Sequence, residues 1–318
     1  MINLILTALL PVFLGLALGY FAGARKLIDN RNVASLIALL MQFALPITLF
    51  VSIARTPQQV ILQNVRLSLV IALTLLIVYL PLFWLQRRAF RLSTGDAAVQ
   101  TLVSAFPNYA SIGLPLLLPI FGSTAALPVA IAIAAGSVTV SPLTIALLEL
   151  HKLGADGAEK SPSPVAAFAV ALGRSVRKPI FVGPILGLLV SLSGGQLPAI
   201  VPVALAPITA CTAGVGLFLT GLMLSAQPIR IDLNVALSVA IKNVVQPLIA
   251  LALALVLALP ARTAAEAVLL CTIPAGFFGL VFGASAGVRP AVAGSTLVLS
   301  TLCSLVTLAI AILVLAPK

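Results

Sequence analysis

The sequence predicts an all-α polytopic membrane protein: ten transmembrane helices as two inverted five-helix repeats, with broken, crossing helices four and nine. Three observations support this. Of the 318 residues, 61% are hydrophobic and 8% charged, too little polar side chain to cover a soluble globule of this size. Apolar runs of about 20 residues, enough to cross roughly 30 Å of hydrocarbon, recur from end to end. The two halves of the chain also resemble each other at a nearly constant offset. The runs are continuous rather than alternating with period two, which argues against a β-barrel.

In order, the predicted spans are 3–23, 32–54, 66–86, 97–120 and 126–148, then 179–193, 200–225, 233–259, 264–286 and 291–314. The opening MINLILTALLPVF has no basic leader ahead of its apolar run, so the first span is expected to be retained. The polar connection 149–178 divides the chain into a first repeat, 1–148, and a second, 179–318. Its second half, VAAFAVALGRSVRK, spaces apolar residues as a helix does and ends in basic ones, as in a short interfacial helix.

A net charge of +11 in a soluble protein would suggest nucleic acid, but here the charges cluster in short loops, so no nucleic-acid partner is expected. With the N-terminus outside, 13 basic residues fall on the cytoplasmic side, among them Arg25, Lys26, Arg87, Arg88, Arg177 and Lys178. The other side collects four: Arg55, Arg66, Arg262 and Lys318. This bias places both termini outside, in a multi-pass protein of the plasma membrane, the bacterial inner membrane.

The stretch 11-PVFLGLALG-19 matches 179-PIFVGPILG-187 at five of nine positions, at an offset of 168. Likewise 97-AAVQTLVSAFPN-108 aligns with 264-AAEAVLLCTIPA-275 at an offset of 167. Five spans per repeat is an odd number, so the second half must lie upside down relative to the first, a transporter architecture. Pro107 and Pro274 then fall midway along spans four and nine. An interior proline costs a helix about 3 kcal/mol, and in lipid the freed carbonyl meets no water. Two breaks at equivalent depths suggest helices crossing at the bilayer midplane, beside a cavity or packed protein. Half-helix N-termini there offer partial positive charge and free N–H groups, which suit an anion. Pro107, Asn108, Tyr109, Pro274, Ala275 and Gly276 are the candidate lining. A single kink would merely shape packing; the symmetry-matched pair, one with an adjacent asparagine, points to a site.

Lys242 lies about ten residues into span eight, roughly 15 Å deep at helical rise. No acid is near it in sequence, and Gln246, one turn on, shares its face. Either the two meet an anionic substrate, or Lys242 snorkels to the headgroups. Gln42 in span two either faces the same cavity or bonds a neighbouring helix. The pairs Gly15/Gly19 and Gly183/Gly187 are expected to pack helices closely. All seven acids fall in loops or at span ends, so no buried carboxylate is expected as a proton relay. His151, the sole histidine, is placed in the polar connection as a solvated residue. Cys211, Cys271 and Cys303 match no metal spacing and are expected to be small packing residues. No metal site and no cofactor is implied. An intramembrane hydrolase would have only Lys242 as a base, with no nucleophile motif, so no enzyme is expected. An anion channel stays open as an alternative, since a broken helix can also line a pore.

Ten spans in two inverted fives, prolines midway along spans four and nine, a cytoplasmic central connection and the segment FPNYASIGLPLL resemble the auxin efflux carrier family of secondary transporters. The stretches 30-NRNVASLIALLMQFALPITLF-50, 178-KPIFVGPILGL-188 and 242-KNVVQPL-248 most resemble its malonate transporter branch. The resemblance covers essentially the whole chain. It implies a mobile domain of spans three to five and eight to ten, with spans one, two, six and seven as scaffold and homodimer interface. It further implies an elevator-like movement, with Pro107 and Asn108 at the first crossover and Pro274 at the second. The second crossover, IPAGFFG, lacks an asparagine, which leaves its polar contacts to the backbone. The expected substrate is a small carboxylate, malonate first, with malate, lactate or an auxin-like carboxylate as alternatives. Whether H+ or Na+ couples to transport is left open.

Overall fold

A continuous apolar run satisfies its backbone in lipid as a helix, because every N–H and C=O within the segment is then paired inside it. The computed structural model describes residues 2–30, 32–155, 173, 177, 179–195, 197–227 and 229–315, and there the chain is all-helical with short connections. In chain order the helices are α1 (Ile2–Ala24), α2 (Ala34–Ala54), α3 (Gln58–Gln63), α4 (Val65–Arg88), α5 (Thr94–Ala105), α6 (Tyr109–Phe121) and α7 (Ala126–Val138). They continue with α8 (Val140–Ala155), α9 (Pro179–Leu192), α10 (Ile200–Ser225), α11 (Leu233–Val256), α12 (Ala261–Thr272), α13 (Phe278–Ser285) and α14 (Ala291–Leu315). Among the described residues, seven helical stretches are long and apolar enough to cross a membrane: α1, α2, α4, Ala126–Lys152 running from α7 into α8, α10, α11 and α14.

Both expected breaks are present. Helix α5 stops at Ala105 and α12 at Thr272. The residue before a proline is pushed out of the helical region by the pyrrolidine ring. Phe106, before Pro107, has φ −103° and ψ 103°, and Ile273, before Pro274, has φ −52° and ψ 135°.

Three further prolines act without breaking the chain. Pro46, Pro115 and Pro247 each follow a widened π-turn, at Leu39–Ala44, Tyr109–Gly113 and Ile241–Val245. Proline lacks an N–H and its ring crowds the carbonyl four residues back, so the turn ahead of it widens.

Close packing in lipid relies on small residues that let backbones approach. At Gly19 a Cβ would strike the Phe218 carbonyl of α10, and at Gly221 it would strike the Leu16 carbonyl of α1. Helix α9 meets α2 in the same way: Gly183 lies on the Pro46 carbonyl, and a Cβ at Gly187 would be 2.8 Å from the Phe50 carbonyl oxygen. Exposed apolar side chains such as Leu10, Leu80, Trp84, Val203 and Val314 give the molecule an apolar exterior. Water would penalise a patch of that extent, whereas hydrocarbon would not.

Some expectations are corrected. His151 is half-buried in the last turns of α8, against Gly95, because that helix outruns the predicted span. Glu266 is buried, next to Arg262 at 3.4 Å, whose charge offsets the cost of burial. Of the cysteines, Cys271 is buried, but Cys211 and Cys303 are exposed. The expected interfacial helix lies almost wholly outside the described residues.

Candidate functional site

The two breaks meet each other. Pro107 and Ala275 form an antiparallel bridge, the Asn108 N–H donates to the Pro274 carbonyl at 3.0 Å, and the Gly276 N–H donates to the Val103 carbonyl at 3.3 Å. Each break thereby supplies hydrogen-bond partners that the other lost, which is how irregular backbone survives away from water. The approach is so close that a Cβ on Gly276 would collide with the Phe106 carbonyl oxygen. Pro107, Asn108, Tyr109, Pro274, Ala275 and Gly276 are all buried at this crossing.

A helix that ends inside the protein also leaves carbonyls at its C-terminus without intrahelical partners. One turn of α11 takes up a carbonyl at each end. Lys242, fully buried, donates from Nζ to the Cys271 carbonyl of α12 at 2.8 Å. Gln246 donates from Nε2 to the Ala105 carbonyl, the last of α5, also at 2.8 Å. An ammonium at a helix C-terminus is further favoured by the negative end of the macrodipole. Lys242 therefore does not snorkel to the headgroups; it is spent on backbone at the crossing. The neighbouring Asn243 donates to the Ser300 carbonyl at 2.9 Å and accepts from the Ser300 hydroxyl at 2.6 Å. That hydroxyl accepts the Ala275 N–H at 3.0 Å. Side chains from α11 and α14 thus hold the second break, which lacks an asparagine of its own.

The first break is held from α10. Asn108 Nδ2 donates to the Thr220 hydroxyl at 3.1 Å, and the Ser111 hydroxyl lies 3.3 Å from the same oxygen. Three buried polar atoms around the crossing have no hydrogen-bond partner: Asn108 Oδ1, Tyr109 OH and Gln246 Oε1. The Tyr109 ring sits edge-on to Phe106 at 5.6 Å, with the Cys271 thiol beside its hydroxyl but no well-formed bond between them. An unsatisfied buried polar group costs about 1–3 kcal/mol, so such a cluster is hydrogen-bonding capacity in reserve. Tyr109 can donate directly, and Asn108 turned over presents its NH2 while its oxygen faces the Thr220 hydroxyl, whereas Gln246 is held by its bond to the Ala105 carbonyl.

Gln42 is not brought to this group; it is exposed on the π-turn of α2. Sequence reasoning missed Ser111, Thr220, Asn243 and Ser300. A signal was present for α10, where Thr209, Thr212, Gly216 and Thr220 recur at helical spacing within an apolar run. Among the described residues no cluster of three or more His, Cys, Asp or Glu is placed to hold a metal.

A sequence model of the family described as membrane transport protein matches residues 4–312, spanning both breaks and the capping turn of α11. Over 308 residues the chain is 26% identical to "Uncharacterized transporter YfdV" of Escherichia coli K12, with 96% of each chain covered. The same figures hold for the YfdV proteins of Escherichia coli O157:H7 and Shigella flexneri. The chain belongs to the membrane transport protein family, the transporters of the auxin efflux carrier group.

Proposed function

We propose that this membrane transporter is a secondary active carrier of small organic anions, with malonate the leading substrate and malate, lactate or an auxin-like carboxylate the alternatives. The observation that supports it best is the crossing itself, where two broken helices pair backbone to backbone beside the Tyr109 hydroxyl, a buried donor without an acceptor. Helices α6 and α13 begin there, and the first N–H groups of a helix are a natural anion seat. With the carbonyl ends occupied by Lys242 and Gln246, the positive ends remain for a substrate. A dianion gains more from them than a neutral solute does.

Helices α5 and α6 together make one broken span, α12 and α13 another, and α9 is a short one. That gives ten spans in two inverted repeats, 1–148 and 179–318, around the connection 149–178. The equivalent placing of Gly15/Gly19 and Gly183/Gly187, each pair in close contact with a partner helix, supports the repeat. In an elevator-like cycle, spans three to five and eight to ten move as one body against spans one, two, six and seven, which also form a homodimer. Both termini lie outside the cytoplasmic membrane, and H+ or Na+ remains the candidate coupling ion. Full burial of the crossing residues supports a carrier over an anion channel, which needs a continuous water path.

The test is counterflow in proteoliposomes preloaded with unlabelled malonate. The expected result is saturable accumulation of labelled malonate, competed less well by succinate and lactate. Unsaturable flux with a macroscopic current would turn the reading to a channel, and no malonate flux in folded protein would remove the substrate.

A further inference from the structure

A cavity of about 560 Å3 opens between the end of α2, the start of α7 and the face of α10. Its polar lining is Thr48, Ser52, Arg55, Thr56, Thr124 and Thr209, with the rest apolar or proline. The volume falls within the roughly 300–1,000 Å3 usual for small-molecule sites.

We propose that this cavity is a second anion-binding site, a docking station in which Arg55 receives a small carboxylate before it reaches Asn108.

The charge pattern is one-sided. Among the described residues lining the cavity Arg55 alone is charged, and no carboxylate among them neutralises it. It is exposed and forms no ion pair among the described residues, so its guanidinium can present two parallel N–H donors to a carboxylate. Behind Thr124, outside the lining, Arg262 donates from Nη2 to the Thr124 hydroxyl at 2.6 Å. That second guanidinium is balanced by Glu266 at 3.4 Å, which leaves Arg55 as the source of net positive charge.

The cavity also has a direction. Thr48 lines it and shares a hydrogen bond of 2.7 Å with Thr212 on α10. From Thr209 in the cavity, the face of α10 runs through Thr212 and Gly216 to Thr220, about 16 Å at helical rise. Thr220 is the residue that holds Asn108. Midway, Ser111 closes the face: a Cβ on Gly216 would lie 2.8 Å from its hydroxyl oxygen. A carboxylate bound at Arg55 thus rests at the head of a hydroxyl-lined seam whose far end is the crossing, and the Thr48–Thr212, Ser111–Gly216 and Ser111–Thr220 contacts must part before it passes.

The identity of the ligand as a transported carboxylate rests on the function proposed above; the anion selectivity of the cavity does not. The experiment separates the two. Ser52→Cys is made in full-length protein carrying Cys211→Ser and Cys303→Ser, which removes the exposed thiols. Labelling rates are compared for an anionic and a cationic methanethiosulfonate. The expected result is a preference of about tenfold for the anionic reagent, lost on Arg55→Ala and largely kept on Arg55→Lys. Malonate should slow the labelling while Arg55 is present, and Arg55→Ala should raise the malonate KM about tenfold with Vmax nearly unchanged. Equal rates for the two reagents, or a preference that survives Arg55→Ala, would overturn the site whatever malonate does. A charge preference that depends on Arg55 but is indifferent to malonate upholds the anion site and counts against the malonate reading alone.

Discussion

Lys242 shows why the role of a buried charge has to be argued from its partners. Its ammonium bears a desolvation cost of several kcal/mol and recovers part of it from one carbonyl and a helix end. Replacing it with methionine removes that cost but orphans the Cys271 carbonyl, an opposing loss of about 1–3 kcal/mol. We therefore expect Lys242→Met to change thermal stability in detergent little, while malonate uptake falls severalfold because the end of α12 beside the second break loses the partner that positions it. A clear loss of stability with uptake intact would make Lys242 a structural cap and nothing more. Gln246→Leu is the contrast: it leaves the Ala105 carbonyl unpaired with no charge removed, so stability should drop by about 1–3 kcal/mol. Lys242 and Gln246 were visible in sequence as polar residues one turn apart in an apolar span. Their targets were not, because a carbonyl at a break is a property of backbone geometry and leaves no side chain to read.

At the scale of the element, prolines wrote most of what the sequence disclosed. Pro107 and Pro274 foretold both breaks, since the restriction on the preceding residue is local chemistry. Pro46, Pro115 and Pro247 gave no such warning of π-turns, because widening a turn or kinking it satisfies the same steric demand. Gln42, Tyr109 and Lys242 each fall within one of those turns, yet only the last two reach the crossing. Which face a turn presents depends on tertiary packing, and for Gln42 the sequence left that undecided. Glycines in α10 allow a sharper test. Gly221 lies against the Leu16 carbonyl, so Gly221→Val should cost about 1–3 kcal/mol or more by overpacking. Gly214 has nothing within 4 Å of an added Cβ, so Gly214→Ala should stabilise the helix by about 0.5–1 kcal/mol. Thermal unfolding of both variants in one detergent checks the pair; equal shifts would mean α1 and α10 do not pack as described.

For the whole molecule, the seam between α10 and the first break is where a moving body would part from a fixed one. Ser111 and Thr220 face each other across it at 3.3 Å. Ser111→Cys with Thr220→Cys, in protein carrying Cys211→Ser and Cys303→Ser, should crosslink on oxidation and stop transport, with recovery on reduction. Full crosslinking with transport unimpaired would exclude relative movement at this seam. The apolar exterior, the paired breaks and the glycine contacts follow from composition and spacing, whereas the hydroxyl seam emerged only in three dimensions, since its threonines lie on one helix and their partners on others. The most direct measurement is uptake of radiolabelled malonate into proteoliposomes by the wild-type protein and Asn108→Ala side by side, both verified as folded. The account predicts saturable uptake by the wild type and at least a tenfold loss of kcat/KM in the variant. Identical kinetics for the two, or no saturable uptake of any small carboxylate by the wild type, would contradict it.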